Sequence, residues 1–179
     1  MDHVQSDLLP ETLITTYLEM TGASQFVPAY VDLAESTHIA RIGIVDVEYY
    51  RFLYASVGYA WRWRDRLEMP VAELSAILER PETEIDVLYG SGVPAGYVEL
   101  DRQGTDVEIA YFGLRAGFIG QGYGKHLLSH GITRAWEGDT QRVWVHTCNL
   151  DGPHALRNYE RRGFSVYKVD EQPMPERYR

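Results

Sequence analysis

Three glycines at alternate positions, Gly120, Gly122 and Gly124, stand between a run that alternates like a strand and a run that repeats like a helix. That junction constrains the chain more than any other feature. Ahead of it lies Val107-Glu108-Ile109-Ala110-Tyr111-Phe112-Gly113-Leu114; behind it, Leu127, Leu128, Ile132, Ala135 and Trp136 share one helical face. Glycine lets a backbone approach a ligand closely, and the first unpaired N–H groups of a helix carry about half a positive charge. Ile119-Gly120-Gln121-Gly122-Tyr123-Gly124-Lys125 therefore reads as an anion cradle. Two familiar phosphate loops fail on spacing. A G-x-x-x-x-G-K-[ST] loop needs glycine where Ile119 stands and a hydroxyl where His126 stands, and a dinucleotide G-x-G-x-x-G wants a small residue in place of Lys125.

Arg142–Cys148 alternates Val143, Val145 and Thr147 against Trp144, His146 and Cys148, and a strand reached through a helix normally runs parallel to the strand before it. The crossover is then a β-α-β unit. Before it, Glu84–Tyr89, Ala95–Asp101 and Asp106–Leu114 are joined by short glycine turns and read as an antiparallel meander. Thr37–Ile44 reads as a further strand, Val45–Val57 as a helix stopped by Gly58, and Val71–Glu79 as a helix between Pro70 and Pro81. A last helix from Ala155 leads to a strand over Phe164–Val169, and Pro173 and Pro175 predict a frayed C-terminus. Leu13–Leu18, rich in β-branched residues, predicts an extra strand within an N-terminal extension over 1–36. The expected fold class is α/β: a mixed, mostly antiparallel central sheet with a parallel β-α-β crossover at the cofactor site and helices on both faces.

Composition removes other classes. A chain of 179 residues is one domain's worth, and with 24% charged residues no apolar run reaches the ~18 that a membrane-spanning helix needs. Seventeen Lys and Arg against 26 Asp and Glu give a net charge of −9, the wrong sign for a nucleic-acid surface. The first 40 residues hold six acids and no Lys or Arg, so the acidity is lopsided. The N-terminus lacks a basic region and an apolar core like those of a secretory signal, and Cys148 is the sole cysteine, so a cytoplasmic setting without disulfides is expected. Neither Cys-x-x-Cys nor His-x-x-x-His occurs, and no metal is expected.

With these residues in view the chain resembles the GCN5-related N-acetyltransferase (GNAT) family, whose cofactor loop has the form Q/R-x-x-G-x-G/A. A second block, Ala155-Leu156-Arg157-Asn158-Tyr159-Glu160-Arg161-Arg162-Gly163-Phe164, is similar to the family's A-x-x-x-Y-x-x-x-G-F. The likeness spans roughly 84–169. It implies an N-acetyltransferase that moves the acetyl group of acetyl-CoA to a primary amine of a small molecule or peptide, by direct transfer in a ternary complex. A homodimer is left open. Two departures stand out: Ile119 replaces the leading Gln or Arg, leaving backbone donors to hold the pyrophosphate, and Gly152 stands where the family has an asparagine, so Asn149 or Asp151 would have to reach the pantetheine arm.

The resemblance places the general base at Glu108, where a half-buried carboxylate accepts protons better than a solvated one. It places the proton donor to the departing thiolate at Tyr159. The acyl oxygen would be held by backbone N–H groups around Phe112, Gly113 and Leu114, at a bulge that Gly113 permits. His146 and Cys148 would line the cleft. Seven aromatics crowd residues 49–63, more than one helical face can bury, so Tyr50, Tyr54, Trp61 and Arg62 are expected at an aromatic acceptor pocket alongside His146. Two competing readings are a non-catalytic acyl-CoA sensor or assembly module, and an acyltransferase using another acyl group or a hydroxyl acceptor.

Overall fold

Seven strands form one sheet in the order β2-β3-β4-β5-β6-β1-β7 in a computed structural model that describes residues 9–179. They are β1 Thr12–Met20, β2 Thr37–Arg41, β3 Thr83–Gly90, β4 Val93–Gln103, β5 Asp106–Leu114, β6 Arg142–Cys148 and β7 Ser165–Pro173. Met1 to Leu8, the N-terminus expected to lack a secretory signal, and with it two of the six acids, lie outside the described residues. All neighbours pair antiparallel except β5 and β6, the strands joined through the glycine loop and helix α4 (Tyr123–Ala135). The meander is tight because Ser91, Gly92 and Gly104 take positive φ at its turns.

Helices cover both faces. Leu127, Leu128, Ile132 and Ala135 of α4 pack with Val98, Ile109, Val143 and Val145, and α5 (Ala155–Arg161) adds Tyr159 to the same core. On the opposite face α1 (Val47–Gly58) sets Tyr50, Leu53, Tyr54 and Val57 against Ile85, Val87 and Tyr97, with Leu74 of α3 (Val71–Leu78) behind them. Asp46 caps α1 by accepting from the Tyr49 amide at 2.8 Å. A single short turn, α2 (Asp65–Glu68), bridges α1 and α3.

Two elements depart from expectation in place or extent. The N-terminal strand pairs with β6 on one side and β7 on the other, and Leu18 and Met20 are wholly buried. It is therefore an interior strand of the sheet. From it, residues 21–36 run over α4: Ala29 N donates to Ser129 Oγ at 2.9 Å, and Val31 N to His126 Nδ1 at 3.1 Å. The C-terminus is not frayed. Strand β7 runs on to Pro173 opposite Thr12, Met174 N donates to Glu11 O at 2.8 Å, and the Met174 side chain is buried. Proline was tolerated there because β7 is the edge strand, where a missing N–H breaks no ladder on its outer side. The last turn then returns to α2, where Arg177 pairs with Asp65 at 2.9 Å.

Candidate active site

Strands β5 and β6 pair only from Asp106–Arg142 to Ile109–Val145; beyond Ile109 they part. The cause sits on β5. Leu100 faces Ile109 and Glu99 faces Tyr111, so Ala110 is an extra, bulged residue. Gly113 has a different task from the bulge expected of it: a Cβ there would lie 2.5 Å from Val57, so glycine lets α1 close on β5. Arg115 N donates to Ala95 O, and alternate residues of a strand turn their amides to opposite neighbours. The Phe112 and Leu114 amides therefore face the gap, whereas that of Gly113 faces β4.

The loop that follows supplies an anion cradle. Gly120 and Gly122 take φ of +86° and +84°, which side chains rarely adopt. Gly122 is the N-cap of α4 and no side chain caps it, so the first amides of the helix stay available, with no acid in its first turn. Those donors fit a pyrophosphate. Gln121 Nε2 turns back to Gly117 O at 3.2 Å, and Ile119 is largely exposed.

A cavity of about 240 Å³ occupies the gap. Phe112, Gly113, Leu114 and Ile119 form one wall; Asn158 and Tyr159 of α5 form another. Tyr54, Trp61 and Arg62 close it from the α1 side, with Trp63 and Asp65 beside them. Arg62 Nη1 donates to Tyr178 O at 3.2 Å, so the C-terminal turn is also part of the wall. A shallower groove continues along Gly124, Asn158, Arg157 and Arg161.

A second cavity of about 180 Å³ lies beside the first and shares Ala110, Tyr111 and His146 with it. Glu108 lines the second cavity, Tyr159 the first, and His146 both. His146 Nδ1 is 3.3 Å from Glu108 Oε1, and Gln103 Nε2 donates to the other carboxylate oxygen at 3.3 Å. Glu108 and Tyr159 thus meet only across His146.

Burial pushes the Tyr159 hydroxyl well above the usual phenol range, with the Asp151 charge adding to it, so it stays protonated through alkaline pH. Burial likewise pushes the Cys148 thiol up to about 11, again with help from Asp151. A thiol that stays protonated is a poor nucleophile, which speaks against a route through acetyl-cysteine.

Other expected residues sit elsewhere or are occupied. Asn149 is turned to β1, its amide accepting from Ile14 N and donating to Thr12 O, both at 3.0 Å. Asp151 accepts from Thr147 Oγ1 at 2.7 Å and from Trp63 Nε1 at 3.3 Å, fixing the loop and the indole. Tyr50 is in the core and donates to Glu99 Oε2 at 2.6 Å. Asn158, unlike Asn149, lines both the cavity and the groove, whereas Asn149 or Asp151 was expected to reach the pantetheine arm. The sequence reading also missed Trp63, Tyr111, Glu99, Arg66 and Tyr178. One signal was present: Gly58 ends α1, and a Cβ there would lie 2.0 Å from the Trp63 ring.

Among the described residues no cluster of three or more His, Cys, Asp or Glu is gathered as a metal ion would require. No helix there is long and apolar enough to cross a membrane. The sheet is splayed beside an uncapped helix, with the His146–Glu108 pair at the opening. The profile of the Acetyltransferase (GNAT) family matches residues 47–164, and the chain belongs to that family. Comparison with curated proteins gives no match. Among solved structures, a GCN5-related N-acetyltransferase from Sphaerobacter thermophilus is 19% identical, with TM-score 0.61 over 92% of this chain and 52% of that one. One from Kribbella flavida is 16% identical, with TM-score 0.61 over 90% of this chain and 58% of its own. An aminoglycoside acetyltransferase from an uncultured soil sample, solved with trehalose, is 16% identical, with TM-score 0.59 over 72% and 88%. The chain spans 50–60% of the length of the first three structures it matches. Likeness at this identity speaks for the fold alone.

Proposed function

We propose that the protein transfers the acetyl group of acetyl-CoA to a primary amine in one direct step. The observation that carries this reading is the gap between β5 and β6, which opens at the N-terminus of α4 and closes at the His146–Glu108 pair. Acetyl-CoA, when bound, supplies a thioester carbonyl and a thiolate leaving group. The α4 amides and the backbone of Gly120–Gly124 hold the pyrophosphate, and Arg157 and Arg161 flank the groove as counter-charges. Phe112 and Leu114 turn their amides to the gap, where they hold the pantetheine arm and the acyl oxygen. His146 takes the proton of the incoming amine, and Glu108 orients the ring and stabilises the imidazolium. Tyr159 returns a proton to the sulfur. Cys148 stays a thiol and does not enter the reaction.

The test is thiol release from acetyl-CoA with a panel of primary amines, alcohols and lysine peptides, followed by mass analysis of the product. An acetamide product with an amine supports the reading. Tight acetyl-CoA binding without thiol release from any acceptor would make the protein an acyl-CoA-binding module, and an ester product would replace the amine by a hydroxyl. Turnover with a longer acyl-CoA in preference to acetyl-CoA would change the acyl group.

A further inference from the structure

We propose that the second cavity receives the far end of the acceptor and selects a cationic one, so that the acceptor is a linear diamine acetylated at one end; this rests on the acetyl-transfer reading above. An amine presented to His146 from the side away from α4 leaves the rest of its molecule in this cavity, because His146, Ala110 and Tyr111 form the wall common to both. Its other walls carry Glu99, Asp101 and Glu108 against Arg66 and Arg80. Each guanidinium is paired with a carboxyl group, although Arg66 Nε is buried without a hydrogen-bond partner. Arg66 Nη2 is 3.2 Å from Glu99 Oε1, with both side chains nearly enclosed, and Arg80 Nη2 is 3.1 Å from Asp101 Oδ1. Arg80 is also shared with Glu82 at 3.7 Å. Among the described residues Glu108 has no arginine or lysine partner and meets His146 and the Gln103 amide.

Three carboxyls face two guanidiniums in a confined space; burial pushes the Glu99 carboxyl up, so the excess rests on Asp101 and Glu108. An anionic tail would meet these two carboxylates with both guanidiniums already paired to carboxyl groups, and a neutral tail would strip water from them without compensation. A second ammonium answers the excess with three donors, which Asp101 and the Thr83 hydroxyl, buried and without a hydrogen-bond partner, are placed to accept. Between the two ends, Ile77, Ala110 and the Tyr111 ring offer the apolar wall that a methylene chain needs.

The experiment compares three acceptors of one length that differ only at the far end: 1,4-diaminobutane, butylamine and 4-aminobutanoate. One fully engaged charge is a factor of about ten in an equilibrium constant, so the diamine should exceed butylamine by roughly tenfold in kcat/KM, and 4-aminobutanoate should fall below both. Two variants push the preference in opposite directions. Asp101→Asn should lower the diamine-to-butylamine ratio about fivefold, and Arg80→Gln, which frees Asp101, should raise it; damage to the fold would lower both rates together. Calorimetric titration of the same three molecules into the full chain saturated with coenzyme A reads the selection without turnover. Diamine-selective binding without turnover would overturn acetyl transfer and keep this assignment. Equal affinity for the three, or tighter 4-aminobutanoate, would overturn the assignment whether or not acetylation occurs.

Discussion

In the proposed reaction Glu108 and His146 share one proton path, so the two side chains should fail in related ways. Glu108→Gln keeps the side chain's size but loses the charge that stabilises the imidazolium, and turnover should fall by about 10²–10⁴ at neutral pH, recovering as alkaline pH deprotonates the amine unaided. His146→Gln should cost a similar factor, and the double variant little more, because both remove one function. The pH dependence of kcat/KM checks this, and full turnover of either variant across pH would withdraw the relay. Tyr159→Phe should show a defect that raising the pH does not rescue, since its loss is felt at the departing thiolate. Cys148→Ala should keep turnover within about threefold, given a thiol held near 11, and rapid quench with labelled acetyl-CoA should trap no acetyl-enzyme. The sequence showed which residue types could act here but not their partners. Glu108 was singled out as a base by the family resemblance, and the structure sets it beside His146, whereas the bulge at Ala110 that puts Tyr111 on both cavity walls depends on how β4 pairs with β5. Asn149 looked like a ligand residue because nothing local revealed that Thr12 and Ile14, over 130 positions away, would claim its amide.

In the proposed reaction helix α4 holds the cofactor through its uncapped amides, and that suggests a substitution that separates binding from folding. Gly124 lies in the first turn, its φ is not in the positive range, and a Cβ there would touch Leu114 at an ordinary 3.6 Å. Gly124→Asp adds a carboxylate where a helix favours one and replaces a flexible residue, so stability should hold or rise by about 0.5–1 kcal/mol. The same carboxylate faces the pyrophosphate, and acetyl-CoA affinity should drop at least about tenfold. Thermal unfolding and cofactor titration on one sample read both effects; unchanged affinity would remove this loop from the cofactor site. Gly122 is a poorer test, because its left-handed backbone and the Val31 side chain 3.3 Å from a would-be Cβ make any substitution there a folding defect too. Helices and strands were largely legible from periodicity and glycine punctuation, since both are local signals. Tyr178 at the cavity wall was not, because Pro173 and Pro175 signal only where a ladder stops pairing and not where the chain goes next.

The molecule as a whole is tied across its first core face by an ion network. Asp86 of β3 accepts from His130 of α4 at 2.7 Å and from Arg41 of β2, and Glu84 lies 2.8 Å from Arg41. Burial opposes the charge on Asp86, but His130 and Arg41 outweigh it and hold the carboxyl at about 2. A native value below the unfolded one means that the stabilisation is present above about pH 4 and is lost as the pH falls toward 2; it amounts to about 1–2 kcal/mol. Asp86→Asn should lower the urea midpoint at pH 7 and flatten the acid limb of stability between pH 4 and 2, and a parallel acid limb would assign that loss to other groups. The order of the sheet was the least legible feature at this scale, because β-branched residues mark Leu13–Leu18 as a strand without naming its neighbours. Its place between β6 and β7 also bears on how the chain is made. Thr15 pairs with Cys148 and with Asp170, so this strand, made before the other six, must wait until β6 and β7 in turn have left the ribosome before its two ladders can form. Until then its apolar residues Leu13, Leu18 and Met20 are unprotected, and assembly of this half of the sheet is a late, long-range event of the slow-folding kind.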